Sequence, residues 1–388
     1  MLNYIHDIPT RIFFGEGQIE QLAAILQPLG KKVLLCYGGG SIKENGLYDT
    51  VMNILNKGGF EVSELSGIEP NPRIGSVERG VKICHEKDID VLLAVGGGST
   101  IDCAKAVAAG VYYENDLWDM VTSEHDLLKA LPLVDILTLS ATGSEFDPAA
   151  VISNPETKEK LGNVYTYPTA SICDPTYTFS VSAYQTAAGS ADIMSHVCEE
   201  YFSRTMDSDL SEGMAETVLR SVMKNCPLAI QEPENYNARA NLMACASIAC
   251  SGVLSYGKES SGWPCHAMEH ELSAYYDITH GVGLAILTPR WMRLILKKDP
   301  TTTPRFAKFA RNVMGLTGDD ESKLAFAGID ALEKYFISTG IPMNLQDLNI
   351  GTEHFEEMAV HANRGGRLDA SYVPLSQEDV VAIYNDCL

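Results

Sequence analysis

Val91-Leu92-Leu93-Ala94-Val95-Gly96-Gly97-Gly98-Ser99 decides the fold: five apolar residues break on three glycines and a serine, then pass into a helical pattern from about Ile101. A run so short and apolar at every position reads as a strand buried on both faces. Glycine lets a backbone approach a ligand closely, and free amides at a helix N-terminus bind anions, so strand, glycine loop and helix together suit a pyrophosphate. Val33-Leu34-Leu35-Cys36-Tyr37 runs into Gly38-Gly39-Gly40-Ser41 in the same way. One copy alone would pass for a tight strand-to-helix turn, whereas two copies on different strands of one sheet favour a nucleotide. Neither completes the Gly-x-Gly-x-x-Gly fingerprint, because the third glycine is absent.

Outward from these loops, the first half alternates short apolar runs with amphipathic stretches, the pattern of a parallel sheet covered by helices on both faces. Strands are predicted at 32–37, 60–65, 90–95 and 135–139, with helices near 17–29, 48–57, 74–87 and 101–110. A hairpin is expected over 150–164, turning at Asn154-Pro155. Thr10 to Phe14 reads as an edge strand. From about Ser180 strand-like runs disappear and long helical segments take over, at 187–203, 211–225, 238–251 and 303–314. The expected division is therefore an α/β Rossmann-like dinucleotide-binding domain over 1–179 and an all-α metal-binding domain over 180–388. The boundary lies near Asp174-Pro175, since proline disfavours helix in the residue before it.

The helical half concentrates metal-ligating side chains. Asp192-x-x-x-His196 is followed by His266-Ala267-Met268-Glu269-His270 and then His280, so four of the nine histidines fall in one interval. A spacing of four puts both members of a pair on one helix face, and two helices facing each other can close a site. Histidines also sit in cores with one ring nitrogen satisfied, and either pair alone could do so. A zinc-protease motif is excluded, because Ala267 stands where His-Glu-x-x-His requires glutamate. Imidazoles joined by a carboxylate suit Fe²⁺ or Zn²⁺ and not Ca²⁺ or Mg²⁺, which prefer oxygen.

Composition narrows the partners. A chain of 388 residues with 45% hydrophobic content supports two cores, and a formal charge of −22 repels phosphate backbones and anionic lipid. Nucleic acid and membrane are not expected as partners; a small molecule is. The ten cysteines show no Cys-x-x-Cys pair, which fits reduced thiols. With no basic start or apolar signal core, a cytoplasmic location is expected.

Taken jointly, Gly96-Gly97-Gly98-Ser99-x-x-Asp102, Thr138 to Glu145, Asp192-x-x-x-His196, Gly262 to Leu272 and Asp277-Ile278-Thr279-His280-Gly281 resemble the iron-dependent (group III) alcohol dehydrogenase family, over essentially the whole chain. The last block and the first GGGS loop look most like its NADPH-dependent butanol dehydrogenase and broad aldehyde reductase branch. The resemblance implies a dehydroquinate synthase-like fold and metal ligation by Asp192, His196, His266 and His280, with His270 unligated beside the nicotinamide. It also implies Gly97, Gly98, Ser99 and Asp102 in the pyrophosphate loop, Thr138 and Thr142 near the cofactor's nucleotide end or ribose, Lys160 on a nicotinamide ribose hydroxyl, and Gly38, Gly39 and Ser41 near the adenine ribose. A homodimer paired through N-terminal strands is implied as well, the alternative being that this strand folds back onto its own sheet. Ala188 departs from the family, which commonly has asparagine there, and Phe146 stands where relatives often have a polar residue.

The expected activity is metal-dependent hydride transfer between a short-chain primary alcohol or aldehyde and a nicotinamide, the metal polarising the substrate oxygen. No carboxylate lies between Lys31 and Lys43, and Ser41 and Lys43 could accept a 2′-phosphate, so NADP(H) is expected, with NAD(H) as the alternative; Lys43 could equally be a solvated helix charge. His270 could relay the alcohol proton or only pack on the nicotinamide. Phe146, Trp263 and Cys265 suggest an apolar substrate pocket, though core packing explains each as well. Polyol dehydrogenases and dehydroquinate synthase-like lyases are alternatives within the fold, and a metal-dependent hydrolase is one outside redox chemistry.

Overall fold

The computed structural model describes residues 1–388. Eight strands are present: β1 (Arg11–Phe14), β2 (Lys32–Tyr37), β3 (Glu61–Leu65), β4 (Val91–Gly96), β5 (Leu133–Leu137), β6 (Ala149–Asn154), β7 (Glu159–Val164) and β8 (Ala170–Cys173). Six form a parallel sheet in the order β1-β8-β5-β4-β2-β3, and β6 and β7 form a separate antiparallel hairpin. The first half supplies helices α1 (Leu22–Leu26), α2 (Ser41–Glu44), α3 (Leu47–Lys57), α4 (Ile74–Lys87), α5 (Gly98–Gly110) and α6 (Leu117–Thr122).

Alternation along the strands sorts two cores. Val33, Leu35 and Tyr37 of β2 pack with α1 and α3, whereas Leu34 and Cys36 pack with α4 and α5 on the opposite face. One sequence expectation shifts here, and one strand had no sequence signal. The helix foreseen over 17–29 is a 3-10 turn and the short α1, which ends at Leu26, just before Gln27-Pro28, where proline has no N–H to continue the helical hydrogen bonds. The strand β8, Ala-Ser-Ile-Cys, carries no alternating pattern; it is held by β1 and β5 on its two sides.

The remaining helices are α7 (Ala183–Tyr201), α8 (Asp209–Gln231), α9 (Tyr236–Ala249), α10 (Pro264–Tyr276), α11 (His280–Lys298), α12 (Thr303–Asn312), α13 (Glu321–Ser338), α14 (Phe355–Ala362) and α15 (Gln377–Asp386). The chain divides into a nucleotide-type unit, Asp7–Val181 with Pro233–Ser247, and a helical unit, Met1–His6 with Ser182–Glu232 and Ile248–Leu388. A simple cut at 179/180 therefore misplaces two segments. Most of α9 joins the sheet unit, because Met243 enters its core and Ser247 Oγ donates to the buried Glu145 carboxylate at 2.5 Å. The first six residues join the helical unit through Leu2 N, which donates to Gly257 O at 2.8 Å. No helix is long and apolar enough to cross a membrane.

Candidate metal centre and cofactor loops

In the helical unit, α7 carries Asp192, His196 and Glu199 at i, i+4 and i+7, one face of one helix. Helix α10 carries His266, Glu269 and His270, and His280 is the first residue of α11. The helices come close because small residues line the contact: a Cβ on Gly281 would stand 2.0 Å from the carbonyl oxygen of Ala188. Three expected ligands converge on the fourth. Asp192 Oδ1 lies 3.4 Å from His196 Nε2, 3.8 Å from His266 Nε2 and 3.6 Å from His280 Nε2.

The arrangement fits a metal rather than a hydrogen-bonded core cluster. Asp192 Oδ1 and His266 Nε2 are buried with no hydrogen-bond partner, a costly state unless an ion satisfies both. The Nδ1 atoms of His266 and His280 are occupied, by the carboxylates of Glu199 and Glu269 respectively. Such carboxylates fix ring orientation and leave Nε2 as the donor atom toward an ion. Glu199 also accepts the amides of Cys265 at 2.5 Å and His266 at 3.3 Å, satisfying first-turn donors of α10 that have no partner within the helix. Sequence reasoning missed both glutamates, although His196-x-x-Glu199 and His266-x-x-Glu269 repeat one spacing.

The site's protonation follows from burial and these partners. Burial would raise the Asp192 carboxyl, but His196, His280 and His266 together hold it well below the usual carboxylate range. Burial drives His196 down to about 3, against the pull of Asp192, so its imidazole is neutral. Burial acts the same way on His266, yet Glu199 and Asp192 outweigh it and lift the ring to about 9. A metal must therefore displace a proton from His266.

Around this pocket, the Trp263 ring lies 4.9 Å from His266 and 5.4 Å from His196, its indole N–H held by Glu200 at 3.1 Å. Trp263 adopts a left-handed backbone (φ 54°), which few residues with a Cβ adopt. His270 is buried, with its ring 6.2 Å from His266 and 5.6 Å from His280. Cys265 cannot line a substrate pocket: its side chain is fully enclosed, and burial pushes its thiol far up.

In the nucleotide-type unit, both glycine loops leave the carboxyl ends of adjacent strands, β2 and β4. The chain reverses its direction of strand addition between these two, the crevice where doubly wound sheets bind ligands. The second loop opens the thirteen-residue α5, where Gly98 and Ser99 sit in the first turn with amides that have no acceptor within the helix. A Cβ on Gly98 would stand 2.2 Å from Thr142 Oγ1, so glycine is needed for that approach. Thr138 N donates to Gly96 O at 2.9 Å, tying the Thr138–Thr142 segment to the same loop. The first loop enters only the four-residue α2, with open space beside Gly39.

Asp102 is buried behind the loop, accepting from Ser144 Oγ at 2.5 Å and from Val151 N at 2.9 Å. Lys105, fully buried, donates to Ser144 Oγ, Asp147 Oδ1 and Ala149 O at 2.9, 3.0 and 2.7 Å. This network clamps residues 144–151 to α5. Burial raises Asp102 to about 6 despite Lys105, and raises Glu145 to about 7. Lys160 is almost wholly buried on β7 opposite Ser153, and Phe146 is half-buried at the end of a 3-10 turn.

The chain matches family models described as iron-containing alcohol dehydrogenase, over residues 9–175, and Fe-containing alcohol dehydrogenase family, C-terminal, over 186–388. It is 50% identical over 389 residues to NADH-dependent butanol dehydrogenase A of Clostridium acetobutylicum, covering 99% of each chain. It is 36% identical over 355 residues to NADPH-dependent aldehyde reductase YqhD of Escherichia coli, covering 90% of each. Among solved structures, NADH-dependent butanol dehydrogenase A from Thermotoga maritima superposes with a TM-score of 0.94 at 39% identity, covering 100% of this chain and 99% of that one. Whole-length identity of this order, together with models spanning both halves, establishes that the chain belongs to the iron-containing alcohol dehydrogenase family.

Proposed function

We propose that this protein interconverts short-chain aldehydes and primary alcohols, butanal and butanol among them, using one divalent metal, Fe²⁺ or Zn²⁺, and a nicotinamide dinucleotide. One observation carries the reading: a buried carboxylate oxygen faces three imidazole Nε2 atoms, two of them on rings whose other nitrogen is committed to a buried glutamate. The names of the relatives support the substrate class. NADH is the preferred cofactor in this reading, in place of the NADP(H) expected from the first loop alone. The relatives at 50% and 47% identity are named NADH-dependent, and the one named NADPH-dependent stands at 36%.

Asp192, His196, His266 and His280 hold the ion, with Glu199 and Glu269 aiming two of the rings. A metal so held supplies Lewis acidity toward the alcohol or aldehyde oxygen. The dinucleotide carries the hydride chemistry itself, so the chain's task is to bind, orient and manage a proton. Gly97, Gly98 and Ser99 receive the pyrophosphate, Thr138 and Thr142 border it, Gly38, Gly39 and Ser41 border the adenosine end, and Lys160 reaches a ribose hydroxyl. Trp263 and Phe146 supply apolar surface to the substrate.

His270 takes up the alcohol proton and passes it on, a task suited to imidazole near neutral pH. His270→Ala is expected to lower kcat by about 10²-fold and remove one limb of the pH-rate profile. An unchanged profile would assign the ring a packing role only. The outer edge of β1 is unpaired, which supports a dimer formed by strand addition, checked by sedimentation at micromolar concentration.

The activity itself is tested with chelator-stripped protein and butanal, supplying NADH or NADPH and restoring Fe²⁺ anaerobically or Zn²⁺. Metal-restored loss of nicotinamide absorbance is expected, faster with NADH. Absence of oxidation together with absence of binding of either dinucleotide would overturn the reading.

A further inference from the structure

Beside the first glycine loop lies a charge arrangement that neither the metal centre nor the pyrophosphate loop uses. Glu64, near the end of β3 and exposed, accepts two phenols: Tyr37 donates to Oε2 at 2.5 Å and Tyr48 to Oε1 at 2.9 Å. The rings meet at an angle with centroids 5.7 Å apart. Lys43 Nζ lies over both, 4.9 Å from the Tyr37 centroid and 4.6 Å from that of Tyr48. Lys43 is the only cationic side chain between Gly38 and Gly46, and it is drawn onto an aromatic pair backed by a carboxylate.

In the reading above the adenosine end borders the first glycine loop, and in doubly wound sheets an acidic side chain takes the 2′-hydroxyl of that ribose. Glu64 stands 24 positions beyond Gly40, on the strand that flanks β2, in register with Leu35. We propose that Glu64, with Tyr37 and Tyr48, selects NADH over NADPH by presenting its carboxylate toward the ribose 2′-hydroxyl while neutralising Lys43, the one cation that would meet a 2′-phosphate. A 2′-phosphate then faces a like charge without a free counter-ion, and repulsion of the wrong ligand sets the preference. The assignment deepens the dinucleotide reading above and depends on it.

The test is the dissociation constant of the full-length protein for NADH and for NADPH, read by nicotinamide fluorescence, in the wild type, Glu64→Gln and Glu64→Gln/Lys43→Met. The wild type should bind NADH about tenfold or more tightly than NADPH. Glu64→Gln should improve NADPH about five- to tenfold and change NADH by less than about twofold, and adding Lys43→Met should cancel that gain. Tyr48→Phe, a milder change, should move the ratio the same way by less. An unchanged ratio in Glu64→Gln, or equal weakening of both cofactors, overturns the assignment alone. A wild type that binds neither dinucleotide overturns the parent reading and this one with it.

Discussion

Asp192→Ala should yield a folded protein that retains no stoichiometric divalent metal after gel filtration and has lost activity by about 10³-fold or more, the loss expected when several kcal/mol of Lewis-acid stabilisation disappear. The carboxylate is the hub of the site, because its Oδ1 lies within 3.8 Å of all three imidazole nitrogens. Without it, three rings that already crowd one another must share the ion's charge with no anion among them. Asp192→Asn, nearly the same shape, separates charge from packing: it should keep the fold and still lose the metal. Metal content by atomic emission, set beside kcat/KM, checks both variants; retention of metal and rate would remove Asp192 from the ligand set.

The second large effect is expected at Glu199, which touches no substrate. Glu199→Gln keeps an oxygen that can accept the Cys265 and His266 amides but removes the charge that faces His266 Nδ1. Loss of such an outer carboxylate costs about 10- to 100-fold in metal affinity. The pH dependence gives the sign. The ring proton of His266 is held up to about 9, above its ordinary 6.5, so a metal competes with a proton through the neutral range and affinity rises with pH until about 9. The metal-free fold behaves oppositely: the His266–Glu199 pair stabilises it fully below about 6.5, and that contribution is lost as pH rises through about 9. In Glu199→Gln both dependences should flatten at lower pH. Metal titrations from pH 6 to 9 check this, and an unaltered pH slope with unaltered affinity would assign Glu199 to capping α10 alone.

These two residues mark how far the sequence could be read. Asp192, His196, His266 and His280 were visible because helical spacing of ligating side chains is a local property, and the structure brings all four together. Glu199 and Glu269 repeat the same His-x-x-Glu spacing, but each serves a histidine other than the one that precedes it: Glu199 serves His266 on another helix, and Glu269 serves His280 on the next. Only the crossing of α7, α10 and α11 creates those pairs. Asp102 shows the reverse: its place after the glycine loop suggested a ligand, while the packing of residues 144–151 engages both its carboxylate oxygens, which no local spacing announces. Cys265 adjoins His266 in sequence yet projects away from the pocket, because neighbours on a helix are about 100° apart.

The strands β2 and β4 were legible as dense apolar runs of buried residues, nearly to the residue, whereas β3, Glu-Val-Ser-Glu-Leu, is buried only at Leu65. β8 was not, because four small or mixed residues become a strand only through partners on both sides. The reassignment of α9 to the sheet unit likewise depends on Met243 and Ser247 meeting groups far away in sequence.

Whether Asp192 and the three imidazoles hold an ion is decided by X-ray absorption at the metal edge of protein loaded with one equivalent of Zn²⁺ or Fe²⁺, compared with Asp192→Ala. One tightly held ion per chain is expected, with scattering from three imidazoles at about 2.0–2.2 Å and at least one oxygen, a signature lost in the variant. An ion with only oxygen neighbours, or the same spectrum in wild type and variant, would contradict it.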